Sequence, residues 1–211
     1  MTEVDQQYDI EDEIRAAVAS GTDVHRHVKA ITLKALTRRQ LDIKNIQQVI
    51  EAVGKGINEG MANQGEHGKE VFMQAATALD DALAIAAEAS KLAIEEAASR
   101  VNEYSQHDLN DAINDLQSME GSFLDSLGKI AKSGNQVVAG IVGDFIAHAG
   151  QSGTAVGKQT LTAMDAMKDL PGISKNILVS GTVIAASTLA QIGSGILLGI
   201  AESLQSPPVK K

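Results

Sequence analysis

Residues 71–103 repeat with a period of eleven, as VFMQAATALDD, ALAIAAEASKL and AIEEAASRVNE. Phe72, Leu83 and Ile94 share one slot; Ala75, Ala86 and Ala97 share another. On an α-helix turning about 100° per residue, slots 1, 2, 5, 6 and 9 fall within an arc of roughly 140°. Fourteen of those fifteen positions are apolar, Leu79 and Val101 among them, and Ser90 is the exception. Asp80, Asp81, Glu88, Lys91, Glu95, Glu96, Arg100 and Glu103 all lie outside the arc. Apolar and charged residues therefore report the same amphipathic helix.

The phase continues through Leu116, Leu127 and Val138 in slot 2, and through Ala112, Phe123, Phe145, Val156 and Met167 in slot 9. It lapses at Ser105, Asp108, Glu120, Gly134, Ser152 and Thr160. A loop of arbitrary length resets such a phase. Its persistence favours one nearly continuous helix from about 69 to 169, with weak points at 105–108 and 132–135, over a bundle broken at those points. Eleven residues in three turns gives 3.67 per turn, so the stripe stays on one face with little supercoiling. Such a face suits a hendecad coiled coil or an extended apolar surface. The expected fold class is all-α, with long hendecad-patterned amphipathic helices in an elongated bundle or coiled coil, plus an uncharged C-terminal helix.

Upstream, residues 1–8 read as a disordered lead and 9–66 as N-terminal helices. A short helix runs from Ile10 to Ala19, ends at Gly21, and is followed by one that Asp23 can cap. Arg26, Lys29, Lys34, Arg38, Arg39 and Lys44 form a basic cluster able to contact an anionic surface. Asp23, Asp42 and the acids between Glu3 and Glu13 are local partners for it. Residues 54–70 hold five glycines and read as a frayed helix end or loop.

Downstream, Asp169-Leu170-Pro171-Gly172 stops the pattern. An uncharged helix is expected over 173–204, followed by a polar tail, 205–211. Residues 176–201 carry no charge and exceed the ~20 residues that cross a bilayer. Four Gly, three Ser and two Thr make the segment only moderately apolar. Gly195 and Gly199 form a GxxxG pair. A membrane-inserting helix, a helix buried in an assembly and an interfacial anchor all fit, with Ile184, Leu189, Ile192 and Ile196 as the contact residues.

Motifs that would carry chemistry fail on spacing. GTAVGKQT, residues 153–160, has Ser152 where a phosphate loop needs glycine and Gln159 where it needs Ser or Thr. His25 and His27 face different sides of a helix and cannot chelate as an i, i+4 pair. Asp80-Asp81 and Glu95-Glu96 diverge by about 100° and read as a solvated face. No catalytic residue, metal ligand, cofactor or small-molecule substrate is expected. Net charge is −9, against the basic footprint of nucleic-acid binding. Cysteine is absent, which fits a reducing, cytoplasmic setting. The stretch MTEVDQQYDIEDE is acidic, unlike a secretion signal or transit peptide. Aromatics are 2% of the chain and there is no Trp, so small side chains must supply the apolar contacts.

With its Ala-rich helices and segments such as QAATALDDALAIAAEASKLAIEEAASR, the chain resembles phasins, the helical bacterial proteins that coat polyhydroxyalkanoate granules. The striping is also similar to that of lipid-droplet and apolipoprotein helices. The likeness covers mainly 70–168 and is compositional, so it carries no functional residue over. It implies a nonenzymatic protein, peripheral to a granule or membrane, whose stripe adsorbs to an apolar surface. The alternative is a self-assembling homo-oligomer (fibre, barrel or pore) whose C-terminal helix enters a bilayer.

Overall fold

In the computed structural model, which describes residues 3–99, 106–134, 136–167 and 186–205, the striped segment as far as Ser99 is one helix at the centre of a bundle. The α-helices among the described residues are α1 (Glu3–Ser20), α2 (Val24–Thr37), α3 (Ile43–Gly60), α4 (Gly68–Ser99), α5 (Gln106–Ser133), α6 (Gln136–Ser152), α7 (Ala155–Met167) and α8 (Ala186–Gln205). Two short 3-10 turns, Met61–Asn63 and Gly65–His67, link α3 to α4. The described residues include no strand.

The eleven-residue stripe is inside. Of its fourteen described positions thirteen are buried, and Ser90 is half-buried. Burial runs past the expected arc to Ala78 and Ala89 on one side and Asp80 on the other, because α2, α5, α6, α7 and α8 all pack on α4. Ten of the seventeen buried residues of α4 are alanine, which lets several neighbours approach one axis. The chain's three phenylalanines meet where α4, α5 and α6 converge. Phe145 packs edge-on against both Phe72 and Phe123, each at 6.2 Å between ring centres. A single core joins residues from all eight helices, from Ile10 in α1 to Leu197 in α8.

Several expectations change. The pattern after residue 99 is not one continuous rod: α5, α6 and α7 fold back onto α4. The chain breaks after Ser133, at the expected weak point, and again at Gly153, whose φ of +73° lies in the left-handed region. Phase agreement across these breaks therefore does not mark a continuous rod: each returning helix turns its own apolar face to the core. Residues 1–8 are helical from Glu3 onward, so α1 starts well before Ile10. Asp23 does precede α2, but in a left-handed conformation with no side-chain cap; its carboxylate accepts from Arg26 at 2.6 Å instead.

The largest correction concerns the glycines from 54 to 60. They lie within α3 and are buried. A Cβ at Gly56 would sit 2.6 Å from the Glu11 carbonyl oxygen and 2.8 Å from the Ile14 Cβ. One at Gly60 would sit 2.6 Å from the Val18 Cβ and 2.9 Å from the Arg15 carbonyl oxygen. Gly54 faces Ser126 and Ile130 of α5, while Gly56 and Gly60 are the seat on which α1 lies. The close approach between the two backbones offsets their low helix propensity.

Candidate functional site

Phe72, Leu79, Leu83 and Ile94 are fully enclosed by the chain's own helices. Leu189 is buried, while Ile192 and Ile196 are half-buried against the core. Val101 and Ile184 lie outside the described residues. The expected stripe is thus one physical surface, and in this state its partner is the rest of the bundle.

The basic cluster does not assemble as one patch. Arg26 pairs with Asp23, Lys29 with Asp81 at 3.7 Å, and Lys34 with Glu13 at 3.2 Å. Arg39 donates to the Gln48 side chain at 2.6 Å. Arg38 and Lys44 are exposed. Asp23 and Glu13 are therefore the local partners anticipated for the cluster. Asp42 instead caps α3, accepting from the Asn45 N–H at 2.8 Å.

The polar chemistry lies where one helix closes the end of another. Asp80 was expected on a solvated face but is 7% exposed, because α7 covers it. Its carboxylate accepts from the backbone N–H groups of Ala155 at 2.7 Å and Val156 at 2.9 Å. Thr154 Oγ1 accepts from the Gly157 N–H at 2.9 Å and donates to Glu120 of α5 at 2.6 Å. The first donors of α7 are thus occupied by the chain's own oxygens. The phosphate-loop look-alike at 153–160 is this helix start. A Cβ at Gly157 would meet the Glu120 carboxylate, which would have to swing off Thr154 to admit it. Burial pushes the Asp80 carboxyl above its ordinary range; the bonds from Val156 and Ala155 pull it back in part, and Asp81 and Glu120 add to the rise.

A second carboxylate does the same for α3. Asp115 of α5 accepts from the Ile43 N–H at 3.1 Å. Burial, with Asp42 and Asp111 nearby, pushes it up to about 6 against the bond from Ile43. A carboxyl raised on folding binds its proton more tightly in the folded state. Its stabilising contribution is complete below the unfolded pKa and is lost as pH rises through about 6. Urea melts should therefore show a gain of about 1 kcal/mol from this group between pH 7 and pH 5. Asp115→Asn, which keeps an acceptor for Ile43, should narrow that gap. An unchanged gap would remove Asp115 as its source.

Beside the Asp115 closure, α8 is pinned to the turn between α2 and α3. Ser194 Oγ accepts from the Leu41 N–H at 3.0 Å and lies 2.8 Å from the Arg39 carbonyl oxygen and 2.7 Å from that of Ala190, one of which takes its single proton. None of these closures was foreseen from motif spacing. The one signal available was the lapse in the stripe at Glu120.

Among the described residues no group of three or more His, Asp or Glu side chains is placed to hold a metal ion. No described helix is long and apolar enough to cross a membrane. The insertion expected of 176–201 falls partly on residues outside the described ones; the described part belongs to α8, docked on α4. The described residues form an all-α bundle in which the buried Asp80 and the half-buried Asp115 close helix starts. The chain belongs to DUF6781, a family of unknown function whose profile matches residues 1–206. No curated protein and no solved structure matches it.

Proposed function

We propose that this protein is a nonenzymatic helical bundle that associates with an apolar granule or lipid surface by giving its internal stripe to that surface. The observation that carries the reading is the α4 stripe itself: one apolar face from Val71 to Ala98, more than half alanine, with the carboxylates of Glu95 and Glu96 outside it. Burying a leucine-sized side chain is worth about 1.5–3 kcal/mol and an alanine much less. Alanine-lined contacts between helices are therefore exchanged for another apolar partner at small cost per residue. The net charge of −9 keeps coated particles apart. Arg38 and Lys44, both exposed, are available to anionic components of such a surface.

Opening can be blocked covalently. A Cβ added at Gly193 of α8 would lie 3.8 Å from the Ala93 Cβ of α4, the usual Cβ separation of a disulfide. Leu41 must shift slightly to admit it. The chain has no cysteine to compete. Ala93→Cys with Gly193→Cys should adsorb poorly to phosphatidylcholine vesicles or alkane droplets when oxidised and recover on reduction. Equal adsorption in both redox states, or none in either, sinks the reading.

A second reading, homo-oligomer formation, is favoured by four large apolar side chains left outside the core: Val137, Leu161, Leu198 and Leu204. Light scattering without lipid separates the two, since a large lipid-independent mass supports assembly.

A further inference from the structure

The α7 helix is held differently from its neighbours. Its buried apolar side chains are Val156, Ala163 and Met167, and a helix of thirteen residues is marginal in water without tertiary support. Its firmest attachments are polar. They comprise the two N–H bonds to Asp80, the Thr154 bond to Glu120, and a bond from the Gln159 amide to Glu88. The docked state also has a defect. Thr160 Oγ1, on the face turned to the core, is the one buried side-chain polar atom among the described residues with no hydrogen-bond partner. An unsatisfied buried hydroxyl favours undocking, where water can reach it.

The outer surface of the same helix exposes Leu161, which is 68% accessible, with half-buried Met164 beside it. On a helical projection Val156, Leu161, Ala163, Met164 and Met167 make one broad apolar arc. Docking hides only part of it. No anion from solution is needed at the start of α7, because Asp80 already fills the N–H groups of Ala155 and Val156.

We infer that α7 is a latched flap: Asp80 and Glu120 hold its first turn on α4 and α5, and its release precedes opening of the bundle, presenting the Leu161–Met164–Met167 arc to an apolar lipid surface. The latch stands on the hydrogen bonds alone; its consequence for adsorption rests on the function proposed above. Release hinges at Gly153, where the left-handed backbone already breaks the chain between α6 and α7.

Amide hydrogen exchange without lipid tests the latch. In Asp80→Ala, amides of 155–167 should exchange about ten-fold faster or more, the scale of a lost helix cap, while those of α1 and α3 keep wild-type rates. Thr160→Val, which removes the unpartnered hydroxyl at nearly constant volume, should slow exchange in the same segment and remains informative if Asp80→Ala does not fold. Unchanged exchange over 155–167 in both variants overturns the latch, as does equal acceleration of every helix by Asp80→Ala. Adsorption to phosphatidylcholine vesicles then tests the consequence. Asp80→Ala should bind faster than wild type. Faster α7 exchange with unchanged vesicle binding overturns the role of α7 in adsorption. Failure of wild type and variant alike to bind overturns the proposed function while the exchange result stands.

Discussion

Leu83→Asp abolishes cooperative folding of the free protein. Leu83 is fully buried in the central helix, among residues drawn from all eight helices. The substitution removes roughly 1.5–3 kcal/mol of apolar burial. It also places a carboxyl where no partner stands; the group must stay protonated or draw water into the core, at a further cost of several kcal/mol. The sum is comparable with the 5–15 kcal/mol that holds an ordinary domain together. Circular dichroism should show a shallow, non-cooperative melt and a large loss of helix. Were α4 a rod held only by an external surface, the same variant would remain helical and merely fall off that surface. A cooperative, near wild-type melt would therefore contradict the buried position of the stripe.

Placing methyl groups on the α1 seat should give the second large effect, with a sign opposite to the usual one. An exposed helical glycine replaced by alanine gains about 1 kcal/mol. Gly121 and Gly140 are such positions, with nothing within 4 Å of an added Cβ. Alanine at either should raise the melting temperature. At Gly56 and Gly60 the added carbon meets carbonyl oxygens of α1 at 2.6 and 2.9 Å. No rotamer change relieves a clash with backbone. Gly56→Ala with Gly60→Ala should displace α1 and cost several kcal/mol. Glu11 reports the loss independently: burial, and then Glu59 across the α1–α3 contact, hold its carboxyl above the ordinary range. Carbon-detected titration should return it toward the range of a free side chain once α1 moves. If the double variant is as stable as the Gly121→Ala control, the glycines are not a seat.

The helices themselves were legible because apolar and charged residues separately report the same turn angle, as at Phe72, Leu83 and Ile94 against Asp81 and Glu96. Periodicity says which side of a helix is apolar. It does not say what lies against that side, and a bundle that returns on itself reproduces the stripe a single rod would have. The interruptions held the missing information. Gly134 and Ser152 mark the ends of α5 and α6, and Glu120 and Thr160 lie where α7 meets its neighbours. Asp80 was hidden for a different reason: it sits on the charged side of a two-sided projection, and only the presence of a helix on that side buries it. The glycines of α3 were read by propensity, which prices an exposed helix. Their value depends on a second helix that one-dimensional spacing cannot show.

The two carboxylates that close helix starts act across long stretches of chain. Asp115 reaches Ile43 over 72 positions, and Asp80 reaches Ala155 over 75. A growing polypeptide therefore releases α3 from the ribosome well before the residue that completes its first turn exists. It releases Asp80 long before the amides that will bond to it. Early products of translation should be open to proteases or dependent on chaperones until the amides of Ala155 and Val156 emerge and close the Asp80 site.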